Sequence, residues 1–303
     1  MDPNFLARSV IFPLVLASIA VGVALIRSRR AGGPTLVALA GPFAIALAFV
    51  VGVPFILGRM PAWKPTQAAE WLPFLGVAAL LIGVVDALPP RKVWASVVTG
   101  AMLSAFAWAV LAGPLATIVT RLGSEPGGAA LPWLMGAMIV VPAMAGRAGA
   151  RWTPNAGPPF ALGLLVACSI AAIVLSGTAM FAQIAALLGL GLAPLGVATL
   201  LRRPWATDRG LIVTFASLHA TLWMLTHFYA TKDGVWAATA LFCLAPVGLM
   251  VARLPGLAKS PKAAGFVQVG VVLAMGIAGL ATVVMTTPKP DPVEQDVSDL
   301  YKE

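Results

Sequence analysis

The feature that most limits what this chain can become is an apolar run of roughly 18 residues or more that returns ten times, with only short connectors between. A helix rises about 1.5 Å per residue, so such a run is long enough to cross the roughly 30 Å hydrocarbon core of a bilayer. In lipid every backbone N–H and C=O must be bonded internally, and only helices achieve this without closing a barrel. The predicted fold is therefore all-α: a polytopic integral membrane bundle of about ten transmembrane helices. The spans are read as Ser9–Ile26, Thr35–Leu57, Trp71–Leu88, Val93–Val119, Leu131–Ala148, Pro159–Phe181, Gln183–Leu201, Leu211–Thr226, Val235–Ala252 and Ala264–Met285. Composition agrees, since only 10% of residues are charged where soluble domains run near about a quarter. The spans leave no stretch for a soluble domain of ordinary size, so residues 1–286 read as a single transmembrane unit and 287–303 as a short acidic tail.

The net charge of +9 is informative mainly through its distribution. With the N-terminus outside and the spans alternating, the inner connectors hold Arg27, Arg29, Arg30, Arg91, Lys92, Arg147, Arg151, Arg202, Arg203, Arg209, Arg253, Lys259 and Lys262. Of the acids, only Asp86 and Asp208 fall inside. This is the positive-inside bias of membrane proteins, and it accounts for the basic balance without nucleic acid as a partner. It predicts that both termini lie outside. The first span carries its basic cluster after the apolar run, the reverse of a cleaved signal, so it is read as a retained helix. Trp63, Trp71, Trp133 and Trp236 near one boundary, and Trp94, Trp152 and Trp205 near the other, form the expected interfacial belts. The partner implied throughout is the lipid bilayer, and the expected location is a bacterial cytoplasmic membrane.

Proline and glycine punctuate the spans. Pro142, Pro194 and Pro246 are each 52 residues apart, and LAPLG at 192–196 resembles LAPVG at 244–248. Both fit a two-helix unit repeated within 131–286, although two spans with connectors occupy about that length anyway. Gly270, Ala274 and Ala278 in the last span, and Gly189, Gly191 and Gly196 in the seventh, are expected to let helix backbones approach closely, within the chain or between copies.

Chemistry is concentrated in the eighth span, LIVTFASLHATLWMLT. His219 lies near its middle, with Trp223 one turn further out on the same face and Thr226 a turn beyond. An ionisable group at that depth usually faces the bundle interior. Here it serves either as a hydrogen-bonding point between helices or as a solute contact. His227 lies about 12 Å along the same helix, so the two histidines cannot flank one haem iron, and no carboxylate shares their depth to complete a metal site. No cofactor is expected. Weaker candidates are Asp86, read as an interfacial salt bridge at the inner end of span three; Trp108, which must face either lipid or the interior; and Gln268, which can bond across helices. Cys168 and Cys243 form no ligand or redox pattern.

No Walker A loop, HExxH or GxSxG motif is present, and no acidic pair lies in the membrane core. A catalytic dyad would have to use His219 with a serine no motif identifies, so an enzyme is the least supported class. Two readings remain: a transporter- or channel-like protein for a small solute without carboxylate-based ion coupling, or a scaffold or accessory subunit joined to a membrane partner or to further copies of itself.

Overall fold

The computed structural model describes residues 7–31, 34–88, 93–124, 128–150, 157–200, 209–230 and 235–286. Among these residues there is no strand, and ten helical spans are long and apolar enough to cross a membrane. They are α1 (Ala7–Ile26), α2 (Ala38–Leu57), α3 (Ala68–Ala87), α4 (Trp94–Ala112), α5 (Gly128–Gly149), α6 (Gly157–Leu175), α7 (Ala179–Leu200), α8 (Gly210–Tyr229), α9 (Trp236–Arg253) and α10 (Lys262–Thr286). The end of the bundle holding the start of α1 is termed outer, following the orientation predicted from charge. Many of the basic residues behind that prediction, among them Arg91, Lys92, Arg151, Arg202 and Arg203, lie outside the described residues, as does the acidic tail.

The spans are not equivalent. α8 packs against α2, α3, α5, α7 and α9, while the other nine close a ring around it in the order α1, α2, α3, α4, α5, α9, α10, α6, α7. Of its most apolar window 89% is buried within the protein, against at most 56% for any other span. A helix shielded from lipid on all sides is free to carry polar side chains, and α8 has the lowest mean hydropathy of the ten. Thr214, Ser217, His219, Thr221 and Thr226 are all fully buried on it. Three of these spend their hydrogens on backbone: Ser217 on Val213 O (2.8 Å), Thr221 on Ser217 O (2.8 Å) and Thr214 on Ala79 O of α3 (3.2 Å).

Glycine sets how closely α8 and its neighbours approach. A Cβ on Gly83 of α3 would stand 2.9 Å from Gly210 O, and one on Gly210 would strike Gly83 O in return. Gly149 of α5 lies directly against the Leu249 backbone of α9, and a Cβ on Gly191 of α7 would be 2.6 Å from Ile45 Cα of α2. The expected stripe Gly270, Ala274, Ala278 does not serve this purpose within the chain. All three are exposed, and it is the neighbouring Gly276 and Gly279 that meet Cys168 and Phe242. The stripe therefore faces outward, roughly opposite the packed face of the helix.

Three boundaries depart from those predicted, each for a local reason. α4 stops at Ala112 instead of running to Val119, because Pro114 has no N–H for the Val110 carbonyl. Leu115 N takes that carbonyl instead (3.2 Å), and a short separate helix, Ala116–Gly123, follows. α6 ends at Leu175, where Gly177 adopts φ +89° and Thr178 N closes onto Ile173 O (3.3 Å). α7 consequently begins at Ala179, four residues before the predicted start. In α9, regular α-helix ends at Leu244, and Ala245–Arg253 continue as nine residues of tighter 3₁₀ helix entered at Pro246. Runs of more than about four residues in that form are uncommon. Pro142 and Pro194, in contrast, sit inside regular helix.

Candidate functional site

The site builds outward from His219. Its Nε2 lies 2.8 Å from Ser169 Oγ of α6, and the Trp223 indole Nε1 donates to that same oxygen at 3.1 Å. An indole N–H only donates, so Ser169 accepts from Trp223 and its own hydrogen is free for His219 Nε2. The hydroxyl has two lone pairs, so Nε2 either accepts that hydrogen or, in the other tautomer, donates to the same oxygen. The ring's Nδ1 is buried and has no protein partner. In either tautomer the network leaves one ring nitrogen unspent in the middle of the bundle.

Aromatic rings hold the imidazole in place. Phe215 stacks on it at 5.1 Å and 17°, and Phe242 of α9 meets it edge-on at 6.4 Å. Phe242 also stacks on Trp223 at 4.1 Å and 7°. This pair sets the register of α8 against the antiparallel α9. Three residues outward from Trp223 is Thr226, and three residues outward from Phe242 is Thr239, so each is about 4.5 Å nearer the outer end. Both hydroxyls are fully buried and neither has a partner. His227, the next residue outward, packs its ring on Trp236 at 4.4 Å and also has a buried, unpartnered Nδ1. His219, Thr226, Thr239 and His227 therefore form a column of unspent polar atoms along the outer half of the α8–α9 contact.

At the outer end of α8 a cleft of about 580 Å³ opens, lined by Thr66, Gln67, Thr178, Met180, Phe181 and Tyr229 among others. It lies where the start of α3, the α6–α7 turn and the last residue of α8 meet. Nearby, Glu70 Oε1 pairs with Arg59 at 2.7 Å, and its Oε2 accepts from Thr66 N (2.8 Å) and Gln67 N (3.3 Å).

The weaker sequence candidates scatter. Asp86, at the inner end of α3, is 2% exposed and forms an ion pair with Arg147 of α5, which is itself 4% exposed. Thr99 of α4 lies 3.1 Å from the same carboxylate oxygen, and Arg147 Nη1 donates to Ser96 Oγ (3.0 Å), so α3, α4 and α5 are tied together there. Trp108 is 71% exposed on α4, on the surface a bilayer covers and away from the α8 column. Gln268 is buried against α9, where its Nε2 donates to Leu249 O at 2.6 Å in the 3₁₀ stretch, and its Oε1 has no partner. Ser169 is among several hydroxyls, with Thr99 and Thr214, that the sequence marks as able to bond across helices; Thr239, Phe242 and Arg147 were not singled out as partners. A usable signal existed for Ser169: it lies twelve residues into α6 and His219 nine into α8, spans that run in the same direction, so the two share a depth. Among the described residues, no three His, Cys, Asp or Glu side chains group as a metal set. No family model matches this sequence, and no curated protein or solved structure proved similar to it.

Proposed function

We propose that the protein passes a small, uncharged solute across the membrane, with the outer half of the α8–α9 contact as part of its route. The observation that carries this reading is the column of His219 Nδ1, Thr226 Oγ1, Thr239 Oγ1 and His227 Nδ1, buried and unpartnered. A buried polar group without a partner costs about 1–3 kcal/mol, and four in one line are a standing cost that a solute or its water would relieve. The column holds hydroxyls and imidazoles and no carboxylate, which favours a neutral cargo over an ion-coupled one. His219 and Trp223 contact the solute at the inner end of the column, and Thr226 and Thr239 midway. The positive-inside distribution supports both termini outside and a bacterial cytoplasmic membrane as the location.

Substituted-cysteine accessibility tests the route. With Cys168 and Cys243 replaced by Ala, Thr226→Cys and Thr239→Cys should react with the small neutral reagent methyl methanethiosulfonate in proteoliposomes. Val213→Cys, elsewhere on buried α8, should remain inert. Equal inertness at all three positions would remove the route.

A further inference from the structure

We infer that the outer cleft is a recognition site for neutral carboxamides bearing a flat apolar group. The inference rests on the transport reading for its biological purpose, but the site stands on its own geometry.

The cleft's electrostatics come first. The two charges beside it, Glu70 and Arg59, are spent on each other at 2.7 Å, and the remaining Glu70 oxygen is occupied by two backbone N–H groups. Glu70 is 4% exposed, so no free carboxylate faces the opening. Neither an anion nor a cation finds an unpaired counter-charge among the lining residues.

The hydrogen-bonding pattern comes next. Arg59 Nη2 donates to Gln67 Oε1 at 2.7 Å, which fixes the Gln67 amide with its oxygen engaged and leaves Nε2 as the donor. Thr66 Oγ1 directs its hydrogen to Glu70 Oε2 (3.4 Å), and Thr178 Oγ1 is within reach of Ile173 O (3.3 Å) and Ser176 Oγ (3.2 Å), sharing one hydrogen bond with that hydroxyl in either direction. Both threonine oxygens keep acceptor lone pairs. Among the lining side chains, Gln67 offers an amide donor, the two threonines offer acceptor lone pairs, and the Tyr229 phenol can do either. A primary carboxamide presents the complement: a carbonyl for Gln67 Nε2 and an NH₂ for the threonines. A carboxylate would set its oxygens against those lone pairs, and an ammonium would find no carboxylate.

The apolar wall completes the match. Phe181 and Tyr229 meet at 6.2 Å and 52°, with Met180 beside them and 39% exposed. A ring lying on aromatic and thioether surface gains contact area and edge or face interactions. The cleft volume of about 580 Å³ falls within the ordinary size of small-molecule sites. Tyr229 is the last residue of α8, about one turn beyond Thr226, so the cleft opens next to the outer end of the proposed route.

The test uses the full chain in lipid nanodiscs and three probes of one shape: benzamide, benzoate and benzylammonium, followed by ligand-observed NMR with saturation. Benzamide should bind saturably, and the two charged probes at least tenfold more weakly. Gln67→Ala should weaken benzamide about fivefold, the effect of one lost neutral hydrogen bond, and Tyr229→Ala should weaken it further. Gln67→Asn, which shortens the amide but keeps it, should recover part of the loss. Equal binding of all three probes, or benzamide binding indifferent to both alanine variants, would overturn the assignment. The two proposals fail separately. Saturable, Gln67-dependent benzamide binding with inert Thr226→Cys and Thr239→Cys keeps the cleft and removes the route. Reactive cysteines without benzamide selectivity keep the route and remove the cleft.

Discussion

Replacing Arg147 by alanine should destabilise the bundle more than any surface change, and the structure indicates by how much. Asp86 and Arg147 are 2% and 4% exposed, and their ion pair joins α3 to α5 with Thr99 of α4 beside it. Removing the guanidinium leaves a buried carboxylate with one hydroxyl for company. Breaking a buried pair in this way costs about 3–5 kcal/mol, because the surviving charge keeps its desolvation penalty without its attraction. Removing both charges is different in kind. Asp86→Leu with Arg147→Leu eliminates both penalties together, and such replacements are often neutral or stabilising by about 1–4 kcal/mol. Reversible unfolding in mixed micelles, titrated with SDS, gives the four corners of a double-mutant cycle. Arg147→Ala alone should lose about 3–5 kcal/mol, and the double variant should recover most of it. A single variant within about 1 kcal/mol of the parent would mean that water reaches the pair and screens it. A double variant no better than the single would refute the claim that the unpaired charge is the source of the cost.

Three further outcomes follow from packing and hydrogen bonding. Gly149→Ala drives a methyl into the Leu249 backbone, where nothing flexible can give way, and should cost about 1–3 kcal/mol by the same titration. Gly100→Ala has open space around it within α4 and should stabilise by up to about 1 kcal/mol. Gln268→Leu removes the donor to Leu249 O and should cost about 1–3 kcal/mol, with the change in amide exchange confined to the inner half of α9 if that bond holds the 3₁₀ stretch.

Much of the architecture was legible from hydropathy, because a lipid-facing helix must be apolar along its whole length, and all ten runs satisfied that. Proline and a positive-φ glycine shifted boundaries in ways the apolar pattern hides: Pro114 and Gly177 sit within or beside runs that stay apolar through the break. The central placement of α8 was legible only in part. His219 was recognised as an ionisable residue deep in a span, which points to the bundle interior. Which helix would supply its partner was not, since the depth match to Ser169 fixes a level and not a direction around the bundle. For Asp86 a salt bridge was legible and its partner was not. Its neighbours in sequence are the basic residues Arg91 and Lys92, whereas its partner in space is Arg147, brought in by the pairing of α3, α4 and α5. Trp108, equally deep by sequence, proved to be outward-facing because α4 lies in the ring and turns that face from it.

The most direct measurement is solute flux. Proteoliposomes should be mixed in a stopped-flow instrument with hyperosmotic urea, acetamide or glycerol, and light scattering followed against protein-free vesicles. At least one of these neutral solutes should enter faster with protein present. That excess should fall about tenfold or more in His219→Ala and in the Thr226→Val, Thr239→Val double variant, with potassium acetate showing no excess. Neutral-solute entry no faster than in empty vesicles, or an excess that survives both sets of substitutions, would contradict a route along α8.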